Sequence, residues 1–308
     1  MGVKVIYKKF WKTVLSQKYL IFMSFPFVIW AIIFCYVPLY GWTMAFQNFK
    51  PGRGIFDQQW VGFTQFITLF HDRNFLPVMR NTLGMSVLGL ILGFFVPVVF
   101  ALLLNEVKNM LFKRTTQTIS YLPHFVSWVV AANIITIMLS NDGPINTLLI
   151  NMRIIGKAYP FLTNKYIFWF IVVFADIWKE TGWNAIIYLA SIAGIDQEQY
   201  EAARVDGASR LQQIRYITLP GIKPTIVMLL ILNIGQLMNN GFEKQFLLQS
   251  SLVLDYSRVL DLFALEYGIG MNRYSFGTAI GVFKSVISLT LLFTFNGISR
   301  KLDQGSVM

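Results

Sequence analysis

Glu201 to Pro220 reads EAARVDGASRLQQIRYITLP, a charged stretch rich in small residues and broken by one glycine, in a chain that is otherwise strongly apolar. Hydrophobic residues make up 55% of the 308 positions and charged residues only 13%, far from the balance of a soluble domain. A polar run this short between two long apolar segments is a solvent-facing connection between membrane spans. Its pieces predict two short helices, Gln197 to Val205 and Ser209 to Ile217, with Asp206 and Gly207 at the turn between them. Ala202, Ala203 and Ala208 are small enough for another protein surface to approach the backbone. Ile214 and Ile217 add apolar contacts, and Pro220 is expected to end the second helix, with Pro224 launching the next span.

Outward from this stretch, six apolar runs are long enough to cross about 30 Å of hydrocarbon, which takes roughly 20 helical residues. They lie near Tyr19 to Phe46, Thr82 to Leu104, Ile119 to Ser140, Tyr166 to Ile195, Pro224 to Phe246 and Ser275 to Gly297. The first follows Lys4, Lys8, Lys9, Lys12 and Lys18 but lacks a small-residue cleavage site, so it reads as a retained helix. With the N-terminus inside, the inner segments carry fourteen basic residues and the outer loops nine. That bias predicts both termini in the cytoplasm, and places Glu201 to Pro220 there too. The fold class is therefore an all-α polytopic membrane protein of about six transmembrane helices.

The net charge of +11 fits membrane topology and contact with anionic lipid head groups better than nucleic acid. One cysteine, Cys35, excludes a disulfide within the chain, and His71 and His124 stand far apart without ligand-type spacing, so no metal site is expected.

The succession EAA, DGA and ITLP resembles the EAA loop of the membrane subunits of binding-protein-dependent ABC importers. WVGFTQF at Trp60 to Phe66, RNTLGMS at Arg80 to Ser86 and YLPHFVS at Tyr121 to Ser127 are similar to carbohydrate-uptake permeases. YVPLYGWTMAFQNFKP and FGTAIGVFKSVISL resemble the branch linked to oligosaccharides and polysaccharide fragments. The resemblance implies a type I importer permease fold, in which the loop forms coupling helices docked into a groove on a cytoplasmic ATPase. Its coupling positions fall on Glu201, Ala202, Ala203, Asp206, Gly207, Ile217 and Pro220. The implied organisation is a basic N-terminal arm at 1–18, a permease domain at 19–299 with the loop at 196–223, and a tail at 300–308. The implied partners are a second permease, two ATPase subunits, an extracellular solute-binding protein and a carbohydrate.

A phosphate-cradling loop needs Gly, four residues, then Gly-Lys-Ser/Thr. GTAIGVFKS, Gly277 to Ser285, has the wrong spacing and lies in a span. No catalytic constellation stands out either, so this chain is expected to be no enzyme and to bind no cofactor, with ATP and Mg in the partner ATPases. GLILG at Gly89 to Gly93 reads as a close helix-packing face.

Charges at the bilayer centre cost roughly 2.5–3.5 kcal/mol each, so those that persist face a cavity or a partner. Asp176, Lys179 and Glu180 share one helix face, and Lys179 neutralises only one carboxylate. Lys284, about 14 Å into the last span, is expected to pair with Glu180 or Glu243. Sugars are bound by aromatic faces and by amide or carboxylate groups near the membrane midplane, where opposed helices meet. Trp178, Glu180, Trp183, Asn184 and Tyr188 on the fourth span, Asn239, Asn240 and Phe242 on the fifth, and Lys284 supply that chemistry. The alternative class is an ion-coupled secondary transporter, with Asp176, Lys179, Glu180 and Lys284 as coupling groups. It gives no reason for the EAA loop. A structural or sensory membrane protein, the third class, gives none for the midspan polar residues.

Overall fold

The computed structural model describes residues 16–301. The basic arm before Ser16 and the tail beyond Lys301 lie outside the described residues. Among the described residues the regular structure is helical apart from a two-residue antiparallel pairing of β1 (Gln47–Asn48) with β2 (Gln59–Trp60).

The first span starts as α1 (Lys18–Ala31) and continues without a break through a wide π turn, Ile32–Tyr36, and a 3-10 segment, Val37–Phe46. It is apolar all round, and no residue of α1 is buried by the rest of the chain, the pattern of a helix meant for hydrocarbon or another subunit. After α2 (Thr64–His71), the second span is one 32-residue helix: α3 (Phe75–Leu88), a π turn at Gly89–Gly93, and α4 (Phe94–Glu106). It begins seven residues before the apolar run because Phe75 and Val78 are themselves buried.

The third apolar run is no straight span. α5 (Met110–Phe125) and α6 (Trp128–Leu139), which leads into α7 (Pro144–Asn151), meet at a bend of 105°. Pro123 weakens the last turn of α5, Val126 is extended, and the Ser127 hydroxyl accepts the Val130 N–H to start a new helix.

The fourth span, α8 (Phe168–Ala193), runs 26 residues, or about 39 Å. Gly182, at its middle, lies against the main-chain carbonyl of Ser120 in α5, leaving no room for a Cβ. Gly182→Ala should therefore part these helices and destabilise the protein by about 1–3 kcal/mol. A lowered thermal midpoint in detergent is the expected readout, and an unchanged one would show that the contact yields.

α9 (Gln197–Val205) occupies the bounds expected of the first loop helix. The second does not end at Pro220. α10 (Arg210–Gln213), a π turn at Ile214–Thr218 and α11 (Leu219–Gly235) form one 26-residue helix. The missing proline N–H falls where the wide turn hands over to α geometry, so it interrupts nothing. The fifth span stops at Gly235 rather than Phe246, because the amides that follow turn aside to bond other groups.

The connection between the fifth and sixth apolar runs, Leu247 to Tyr274, falls on the outer side in the predicted topology but is largely interior. α12 (Glu243–Leu248), α13 (Leu254–Ser257) and α14 (Leu260–Leu265) fold inward, burying Leu248, Val253, Val259, Leu260, Leu262 and Phe263. The RNTLGMS motif holds them. Asn81 Nδ2 donates to the carbonyls of Asp255 and Arg258, each at 2.9 Å, and Thr82 Oγ1 accepts the Leu260 N–H at 2.9 Å. The final span is α15 (Tyr274–Lys301).

Among the described residues four helices are thus long and apolar enough to cross a membrane, the bent pair makes a fifth candidate, and α8 has the length but three charges. The core is distributed among the helices. One apolar cluster joins α2, α3, α14 and α15, a second joins α3, α6, α8 and α12 to α14, and a third joins α4, α8 and α11.

Candidate functional site

Two places carry the sequence-derived candidates. The first is the polar loop. The Asp196 carboxylate caps α9 by accepting the Glu198 N–H at 3.0 Å. At the far end the Gly207 and Ala208 N–H groups bond the carbonyls of Arg204 and Ala203, with Gly207 at φ +79°, a left-handed stop that glycine alone adopts freely. One residue later a capping box opens the next helix, Ser209 and Gln212 bonding each other's backbone N–H groups. The loop is thus a helix stop followed at once by a helix start. A buried hydrogen bond of 2.9 Å between the Tyr200 and Thr218 hydroxyls ties α9 to the long helix.

Glu201, Ala202, Asp206, Gly207 and Pro220 are exposed, and Ala203 and Ile217 half-buried. The exposed large hydrophobic groups are Val205 (88%), Leu211 (75%) and Tyr216 (67%), not the isoleucines. Their positions in a polar stretch were the signal for them.

The second place is a cavity of about 300 Å³ between three walls. The α3–α4 helix contributes Ser86, Gly89, Gly93, Phe94 and Pro97. GLILG is a widened turn that borders the cavity and also packs on α8: nothing lies within 4 Å of a Cβ placed at Gly89, whereas one at Gly93 would meet Ile177 Cγ1 at 3.7 Å. From α8 come Asp176, Glu180, Asn184 and Tyr188, four residues apart and so on one face. The end of α11 and the chain beyond it bring Asn233, Gln236, Asn239, Asn240, Lys244 and Gln245.

Of the predicted pathway residues, Glu180, Asn184, Tyr188, Asn239 and Asn240 line this cavity, whereas Trp178, Trp183, Phe242 and Lys284 do not. Trp183 stacks flat on His124, ring centroids 4.4 Å apart, and Trp178 is exposed. Phe242 precedes α12 on the surface. Lys284 pairs with neither Glu180 nor Glu243. Its partner is Asp261 on α14, against which α15 packs, while Glu180 is held by His124 (2.7 Å) and Lys179 (3.3 Å).

Asp176 is paired with Lys244, a lysine within the fifth apolar run whose partner the sequence did not indicate. Trp128, just past the bend, lies 5.7 Å from the Lys179 ammonium and 5.8 Å from that of Lys244. The amides are mostly committed. Asn240 donates to the Thr82 carbonyl (3.0 Å) and accepts from the Ser86 hydroxyl (3.1 Å), and Asn239 donates to the Gln236 side chain at 2.7 Å. The lining mixes hydrogen-bond donors and acceptors with Phe94 and Tyr188, chemistry suited to a hydroxyl-rich solute.

Residues 85–306 match the family described as binding-protein-dependent transport system inner membrane component. Protein LplB of Bacillus subtilis (strain 168) is 41% identical over 296 residues, covering 96% of this chain and 92% of that protein. The polygalacturonan/rhamnogalacturonan transport system permease protein YteP of the same organism is 40% identical, covering 95% of this chain and 91% of its own length. Among solved structures, a chain of a bacterial alginate ABC transporter, in complex with an alginate pentasaccharide-bound periplasmic protein, superposes with a TM-score of 0.87. That chain is 36% identical, and the match covers 96% of this chain and 99% of that one.

Proposed function

The chain belongs to the family of binding-protein-dependent transport system inner membrane components, and from that premise we propose that it forms, with a second permease, the path by which an oligosaccharide enters the cell. It is a sugar ABC importer permease of the bacterial cytoplasmic membrane, and the solute reaches it from an extracellular binding protein. In this proposal both termini face the cytoplasm and ATP and Mg are bound in two partner ATPase subunits. The polysaccharide-derived solutes of YteP and of the alginate transporter support an oligosaccharide here.

One observation carries the mechanism. The helix Arg210–Gly235 begins in the polar loop and reaches the cavity at Leu229 and Asn233 without interruption. Seated in an ATPase groove through Glu201, Ala202, Ala203, Asp206 and Gly207, the loop moves when the ATPases close, and this lever of about 39 Å carries the movement to the cavity wall. Glu180, Asn184, Tyr188, Asn239 and Asn240 then meet the sugar. Ion coupling has no such lever. The groups that suggested it are all held in ion pairs, Asp176 with Lys244, Lys179 with Glu180 and Lys284 with Asp261.

The test is uptake by proteoliposomes holding both permeases and both ATPases, supplied with binding protein and labelled galacturonate, alginate or arabinan oligosaccharides. ATP-driven uptake of at least one probe is expected, lost when the binding protein is omitted and indifferent to ionophores. Uptake driven by a proton or sodium gradient without ATP would overturn the proposal.

A further inference from the structure

Gln245 is fully buried, and neither its Oε1 nor its Nε2 has a hydrogen-bond partner, yet it belongs to the cavity wall. Burying an amide without a partner is unfavourable, and an interior position with no use for one takes an apolar side chain of the same length. The neighbouring cavity amides differ, since Asn239 and Asn240 are bonded to protein groups. The residue sits on α12, next in sequence to Lys244, whose ion pair with Asp176 of α8 joins two cavity walls.

We infer that Gln245 is a sugar-contacting residue of the transport cavity, donating through Nε2 and accepting at Oε1 toward adjacent hydroxyls of the oligosaccharide. The contact forms when the carboxamide turns from its buried position into the cavity that its residue lines. A carboxamide suits a vicinal diol, which offers a donor and an acceptor at the same spacing. The inference rests on the oligosaccharide reading above.

Gln245→Met, nearly isosteric and apolar, separates this role from a structural one. In the full assembly with the same three oligosaccharide probes, it should raise the apparent KM for uptake by about threefold to tenfold, the worth of one or two neutral hydrogen bonds. Maximal rate should stay within about twofold. The thermal midpoint should hold or rise, because an unpartnered buried amide has been removed. An unchanged KM in an assembly that transports would overturn the inference alone. So would a lowered midpoint or failed assembly of the variant, which would assign the amide to the fold. No uptake of any probe by the unmodified assembly would overturn the oligosaccharide reading and this inference with it.

Discussion

Lys284→Met should cripple the fold before it touches transport. Lys284 and Asp261 form an ion pair between α15 and α14, their side chains 10% and 21% exposed, and the second carboxylate oxygen of Asp261 is buried without a hydrogen-bond partner. Removing the ammonium leaves a carboxylate in the interior, for which about 3–5 kcal/mol is the expected loss. The segment that α14 belongs to fills the core beneath Asn81 and Thr82, so the damage spreads to α3 and α8. Detergent-solubilised Lys284→Met should melt well below the unmodified chain, and Lys284→Met combined with Asp261→Leu should recover most of the difference, since both charges are then gone. Equal melting of the single variant and the unmodified chain would remove the pair from any structural role.

Gly207→Pro should abolish coupled uptake while leaving the spans inserted. Proline fixes φ near −65°, whereas this position holds +79°, and it deletes the N–H that bonds the Arg204 carbonyl. The stop that sets α9 against the long helix is lost, and with it the shape of the docking surface. The Glu201 side chain makes no hydrogen bond or ion pair among the described residues, so Glu201→Lys should leave the chain's own fold alone and weaken ATPase association. A loss of ~1.4 kcal/mol in docking is already tenfold in affinity, and uptake should fall at least that far. Co-purification of the ATPases and ATP-driven uptake are the two measurements. Normal uptake in both variants would mean that the loop does not transmit.

Features set by neighbouring residues were legible in the sequence. The bounds of α9 and the turn at Asp206 and Gly207 follow from local backbone preferences, and the extent of the first span follows from apolar content, whereas the second starts seven residues before its apolar run and the last ends four residues beyond its own. The rest depended on distant partners. Whether Leu247 to Tyr274 stays outside or folds in is decided by Asn81 and Thr82, more than 170 positions away. The partner of Lys284 is chosen by the packing of α14 on α15, which no spacing reveals. Pro220 shows a third limit: a proline is a helix breaker only in regular α geometry, and the wide turn just before it removed that condition.

The widened turn at Gly89–Gly93 has a consequence of phase. A turn of this kind holds one residue more than an α turn, and each residue of a helix advances its face by about 100°. Phe94 and Pro97 on the cavity, and Ala101 and Leu104 in the core, take their bearings from that extra residue. Deleting any one position from 89 to 93 would leave every side chain's chemistry intact and still rotate this wall away from α8.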